Sequence, residues 1–190
     1  MTQYIIFDLE TTGLSCTRDR IVSIAAIDLY SGDEFYAEIN PLMRLQKAAA
    51  AVNGFSDEML QGKPTWAQVG PAFWQWIGDH QSSGGSLCFV AHNGRRFDIP
   101  MLTNELKRLA ALPPAKGPLF VADTLTISRQ LFPHLVSKKL SSVFEHMFKK
   151  QPDKQHHALG DAQALLQLVK HPLFKDKVED PLFSVRIIDL

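Results

Sequence analysis

Tyr4-Ile5-Ile6-Phe7-Asp8-Leu9-Glu10-Thr11-Thr12-Gly13-Leu14 places an apolar run directly before two carboxylates one residue apart. Successive side chains on a strand point to opposite faces, so Asp8 and Glu10 share one face with their oxygens close together. Two negative charges so held repel each other. A hard divalent cation, which prefers oxygen ligands, is the natural group to lie between them.

Outward from this stretch, residues 20–30 read as a second strand, and Ser31-Gly32-Asp33 as a tight turn into a third over residues 34–39, so the two form a hairpin. Residues 64–80 carry Trp66, Val69, Phe73, Trp76 and Ile77 at helical spacing, with Pro64 where a helix can begin. The faces taken by Trp66, Trp74 and Trp76 point to core packing. Residues 86–91 form a short apolar strand, residues 100–111 a helix stopped by Pro113-Pro114, and residues 119–122 another strand. Beyond Asp123 the period is helical over residues 124–132, 140–149 and 158–170. The reading divides the chain into one domain, residues 1–172, and a C-terminal tail, residues 173–190, compatible with either packing or fraying. Strands first, then strands alternating with helices, give an α/β domain with a mixed sheet flanked by helices.

At 190 residues and 45% hydrophobic content the chain is large enough for one buried core. Twenty basic residues balance twenty acidic ones, so composition exerts no global pull on nucleic acid or membrane. A polyanion would have to be gripped locally. Two cysteines, Cys16 and Cys88, fit no metal or redox spacing and favour a reducing setting. No leader pattern or membrane-length apolar stretch interrupts the sequence, so the expectation is a soluble intracellular protein of cytoplasm or nucleus with no membrane partner.

Two further segments carry chemistry. Val90-Ala91-His92-Asn93-Gly94-Arg95-Arg96-Phe97-Asp98 spans a strand end and a helix start, putting a third carboxylate at the edge where α/β domains hold ligands. Taken alone, Asp98 reads equally well as a helix cap. His156-His157-Ala158-Leu159-Gly160-Asp161-Ala162 leads into an amphipathic helix, with Asp161 where an apolar residue would fit. Taken alone, it reads as a surface charge.

In this order the three segments resemble the motifs of the DnaQ-like exonucleases of the DEDDh group: Asp8-Leu9-Glu10-Thr11-Thr12-Gly13, then His92-Asn93 with Phe97-Asp98, then His156 with Ala158, Asp161 and Ala162. Ala91-His92-Asn93-Gly94, Phe97-Asp98-Ile99-Pro100-Met101-Leu102 and Glu105-Leu106 are similar to the three-prime repair exonuclease branch, and Val52-Asn53-Gly54-Phe55 to a segment packing near the substrate end. The long proline-rich loop of one such enzyme has only Leu112-Pro113-Pro114 in its place. The resemblance implies a ribonuclease-H-like fold with a central five-stranded mixed sheet.

It also implies a 3′–5′ exonuclease that releases nucleoside 5′-monophosphates from a free 3′ end. Single-stranded DNA is favoured as substrate, with double-stranded ends or RNA as further possibilities. Two Mg²⁺ ions, replaceable by Mn²⁺, would be held by Asp8, Glu10, Asp98 and Asp161, since two metals about 3.5–4 Å apart neutralise both sides of a phosphodiester under attack. A histidine with a pKa near neutrality suits the removal of a proton from water. The family spacing selects His156. On an ideal helix, however, five residues span about 140° while four nearly align, which favours His157. The two agree only if His156 lies on the loop before the helix.

Thr11, Thr12 and Gly13 are expected to meet the terminal sugar through their backbone, and Leu14 either to wedge against the terminal base or to pack in the core. His92, Asn93 and Phe97 are expected to shape the site, the first two by holding the Asp98 loop, while His92 reads equally well as a satisfied histidine at a strand end. Arg95 and Arg96 are expected to meet phosphate. A homodimer through residues 34–39 fits the repair-exonuclease resemblance. Alternatives are an RNA-trimming exoribonuclease, a polymerase proofreading subunit, or a catalytically silent module that binds nucleic acid or protein.

Overall fold

A computed structural model describes residues 1–109, 115–153 and 155–187. Its sheet has six strands: β1 (Thr2–Thr11), β2 (Ile21–Asp28), β3 (Glu34–Glu38), β4 (Ser86–Ala91), β5 (Leu119–Asp123) and β6 (Ser184–Ile187). The spatial order is β3-β2-β1-β4-β5-β6. β1 pairs antiparallel with β2 and parallel with β4, and β5 pairs parallel with β4 and antiparallel with β6. Gly32, at φ 79°, takes the left-handed turn conformation between β2 and β3 that a side chain would disfavour.

Among the described residues eight helices surround it: α1 (Lys47–Asn53), α2 (Asp57–Gln61), α3 (Trp66–His80), α4 (Asp98–Lys107), α5 (Thr124–Leu131), α6 (Leu140–Phe148), α7 (Ala158–Lys170) and α8 (Pro172–Glu179). The alternation of β1 divides the interior. Odd-numbered Ile5, Phe7 and Leu9 join Phe73 and Ile77 of α3 and Met101 and Leu102 of α4 in one core. Even-numbered Tyr4 and Ile6 join Leu165 and Leu168 of α7, Phe144 of α6 and Phe174 of α8 in the other. Trp66 and Trp74 are buried, and Trp76 packs against the first core.

The expected count of five strands is corrected to six. The added strand comes from the tail, where a 3-10 turn at Pro181–Phe183 returns the chain to the open edge of β5. Four residues of mixed burial have too little alternation to announce a strand; the backbone groups of β5 supply what the side chains do not. The helices α1 and α2 were absent from the sequence reading, because α1 buries no residue and α2 buries only Leu60. The expected end of α4 at Ala111, and the Leu112-Pro113-Pro114 loop, lie outside the described residues. Among the described residues no helix is long and apolar enough to cross a membrane.

Candidate active site

Asp8 and Glu10 continue the even-numbered face of β1 beyond Tyr4 and Ile6, to the strand end where helical cover stops. The first turn of α7 completes that end. Buried Ala158 and Ala162 carry little bulk, so the helix start approaches β1 closely and delivers Asp161. Asp8, Glu10 and Asp161 each place a carboxylate oxygen within 4.8 Å of the others. Asp98 enters from the other side, in the first turn of α4, with 4% of its surface exposed. It lies outside that tight group of three, yet its charge acts on Asp8 and Glu10.

All four carboxyl groups are pushed up. Burial raises Asp8 well above the carboxylate range, and Asp98, Asp161 and Glu10 add repulsion. Burial followed by repulsion from Asp161 and Asp98 brings Glu10 to about 7. Asp98 also reaches about 7, chiefly through burial, although backbone N–H groups favour its charged form. Burial raises Asp161, opposed by the N–H of His156 and by the neighbouring imidazoles. Four oxygen donors that resist ionising together fit hard divalent cations, whose charge would relieve the repulsion.

The two histidines separate. His156 is exposed on the loop before α7, in the left-handed region at φ 59°, and its N–H donates to Asp161 Oδ2 at 2.9 Å. His157 is the residue preceding the helix, and its Nε2 lies 3.0 Å from Tyr36 Oη. The condition under which spacing and helix geometry agree is therefore met: His156 is not on the helix.

Several expected substrate contacts are used by the fold. Thr12 is fully buried; its N–H donates to Arg20 O at 2.9 Å, its carbonyl accepts from Gln46 N–H at 2.9 Å, and its hydroxyl meets Asp19 at 3.2 Å. The backbone and side chain of Thr12 thus close the turn. The Thr11 carbonyl accepts from Asn53 Nδ2 at 3.2 Å and its hydroxyl donates to Gly13 O at 2.7 Å. At Gly13 a Cβ would displace the Gln46 amide and the Asp19 carboxylate, which pack directly over the glycine. Leu14 is 84% exposed, which removes its core alternative. Arg95 and Arg96 are exposed and form no ion pair with described residues, while Phe97 packs against the first core.

His92 does not hold the Asp98 loop. Its Nε2 lies 2.7 Å from Lys138 O and its Nδ1 3.0 Å from Thr124 Oγ1, so it ties the end of β4 to the segment between α5 and α6. Burial lowers its pKa. The loop at Asn93, which is left-handed at φ 71°, is held instead by Asp123. That carboxylate accepts from Asn93 N–H at 3.0 Å, Arg95 N–H at 3.3 Å and Leu125 N–H at 2.9 Å. The sequence reading missed this role, although an Asp between a strand and a helix starting at Thr124 is a recognisable cap. Buried Glu105 was named only for its resemblance; it grips Arg20 Nε at 2.6 Å and Arg108 Nη1 at 3.0 Å, fastening the start of β2 to α4.

Asp8, Asp161 and His156 line a cleft of about 690 Å³ with His92 and Asn93. Its far wall carries Arg129, Lys138 and Lys139. The Lys138 ammonium is bonded to the Leu135 carbonyl, leaving Arg129 and Lys139 without ion pairs among the described residues.

The sheet order and the acidic end of β1 define a domain of the ribonuclease-H-like class. The exonuclease family model (RNase T) matches residues 5–169, and the chain belongs to that family. It is similar to the PolC-type DNA polymerase III of Bacillus subtilis, at 35% identity over 93% of this chain and 12% of that protein. With the PolC-type polymerase of Clostridium perfringens identity is 29% over 98% of this chain and 12% of the relative. The chain thus spans about an eighth of the length of these relatives. Among solved structures, exonuclease I superimposes with a TM-score of 0.78 at 20% identity, over 96% of this chain and 43% of that one. Escherichia coli exonuclease I in complex with a dT13 oligonucleotide gives 0.77 at 20% identity, over 96% and 44%. These likenesses are of fold.

Proposed function

We propose that this domain is a metal-dependent 3′–5′ exonuclease that removes nucleoside 5′-monophosphates from the 3′ end of single-stranded DNA. The observation that carries the reading is the meeting of Asp8, Glu10, Asp98 and Asp161 at one end of a cleft, beside an exposed His156. Asp8, Glu10, Asp98 and Asp161 would hold two Mg²⁺ ions, with Mn²⁺ as a substitute. When bound, the ions supply Lewis-acid neutralisation of a phosphodiester on both its attacked and departing sides.

The chain's own groups do the rest. His156 is exposed on its loop, with its N–H committed to Asp161, so its imidazole takes the proton from the attacking water. Leu14, exposed beyond the end of β1, is placed to unstack the terminal base. Arg129 and Lys139 line the cleft without ion pairs among the described residues and supply the local grip that a chain of zero net charge needs. Arg95 and Arg96 extend the cationic surface beside Asp98.

A 5′-labelled oligonucleotide incubated with Mg²⁺ tests the reading. A ladder shortening from the 3′ end, abolished by EDTA and by Asp8→Ala, is expected; label released first, or cleavage indifferent to EDTA, overturns it. Replacing His156 by Ala should lower kcat by about 10²–10⁴, the usual contribution of a general base. DNA and RNA of matched sequence separate this activity from RNA trimming.

The PolC likeness favours a second reading, a proofreading domain within a larger polymerase. On primer ends, faster removal of a mismatched than a paired terminal nucleotide supports it, and equal rates oppose it.

A further inference from the structure

Tyr36, on edge strand β3, meets the histidine pair. Its hydroxyl lies 3.0 Å from Glu38 Oε1 and 3.0 Å from His157 Nε2, and its ring stacks on the His157 imidazole with centroids 5.2 Å apart. A carboxylate only accepts, so the Tyr36 hydroxyl donates to Glu38, and its oxygen accepts the Nε2–H of His157. Lys63 closes the chain of contacts, with Nζ 2.7 Å from Glu38 Oε2. That contact, with the Tyr36 bond, holds the Glu38 carboxyl below its ordinary range.

The other ring nitrogen of His157 is buried and has no hydrogen-bond partner among the described residues. Nε2 is engaged by Tyr36, and Nδ1 is enclosed. His157 thus has no nitrogen to offer the cleft. Its neighbour is in the opposite condition. His156 is exposed in a left-handed conformation that non-glycine residues rarely take, and such a conformation persists only when its surroundings over-determine it. Two restraints do so. On the C-terminal side the His157 ring is fixed to Tyr36, and on the other the His156 N–H is fixed to Asp161.

We propose that Tyr36 and His157 are positioning residues that fix the backbone of His156 so that its imidazole projects into the cleft. The inference rests on His156 as the base and extends that reading to a residue of β3, far from the three motifs in sequence. Removing the Tyr36 hydroxyl frees His157, lets residue 156 leave its left-handed conformation, and lowers the fraction of molecules with the imidazole in place. The loss falls on kcat, while binding of nucleic acid and cation is untouched.

The test is a double-mutant cycle on single-stranded oligonucleotide with saturating Mg²⁺. Tyr36→Phe preserves the stacked ring and is expected to lower kcat about tenfold, with KM and the half-activating Mg²⁺ concentration within twofold of wild type. In a His156→Ala background the same change should alter kcat by less than twofold. His157→Ala should mimic Tyr36→Phe, and His157→Gln, which can still donate to Tyr36, should recover most of the rate. Equal losses with and without His156, or no loss in either, overturn the proposal while leaving the exonuclease reading standing. If His156→Ala alone leaves kcat unchanged, the reading of His156 as base falls and the proposal with it.

Discussion

At the scale of single residues, charge and hydrogen bonding make separable demands. Asp123 holds three backbone N–H groups around a loop with no regular structure of its own. Asp123→Ala should destabilise the protein by about 1–2 kcal/mol in urea unfolding, since a helix cap and two loop N–H groups lose their acceptor, while Asp123→Asn should cost less. The acidic cluster makes a pH prediction. Glu10 and Asp98 titrate near 7 in the folded chain and near 4 when unfolded, so the folded state binds more protons between these values. Their contribution is fully present below about pH 4 and is lost as pH rises through about 7. In EDTA the melting temperature should therefore fall between pH 5 and pH 8, and Mg²⁺ should raise it more at pH 8; a flat profile in EDTA would contradict the raised carboxyl groups. Asp8 and Glu10 were legible because alternation on a strand needs no tertiary information. The different placing of His156 and His157 was not, because it depends on the left-handed backbone of His156 just before α7.

Elements with a strong period were legible, and elements made by their neighbours were not. The first five strands and the helices α3 to α7 follow from patterned runs long enough to carry a face. The tail lacked such a pattern, yet α8 buries Phe174 and Val178 in the second core and β6 covers β5. Truncation after His171 should expose both that core and a strand edge, so the shortened chain should aggregate or elute in the void volume on size exclusion. Phe174→Ala in the full chain should cost roughly 3–5 kcal/mol of stability. The buried Glu105 gives a contrast at the same scale. Glu105→Leu leaves Arg20 and Arg108 without their carboxylate, and chemical denaturation should show a loss of about 3–5 kcal/mol.

For the molecule as a whole, neutrality is a constraint on binding. Among the described residues, the cations without ion pairs at the cleft are Arg129 and Lys139 on its wall, with Arg95 and Arg96 beyond Asp98. If a single strand meets these four, log Kd should change with log salt by a slope of about 3. Fluorescence anisotropy across a salt series, with Ca²⁺ replacing Mg²⁺, measures it. Zero net charge called for a local grip; the wall proposed to supply it was hidden because it is brought to the end of β4 by tertiary contacts, among them the bonds of His92 to Thr124 and the Lys138 carbonyl.

The approach of α7 to β1 has a consequence in time. Asp8 and Asp161 stand more than 150 positions apart in sequence, and α7 packs on β1 and β2 at the far end of that separation. During synthesis the first two carboxylates emerge early and wait, without their third neighbour, until the ribosome has made and released α7. The group of three carboxylates is therefore incomplete on a nascent chain until the segment containing α7 has emerged, and chain order alone delays its assembly.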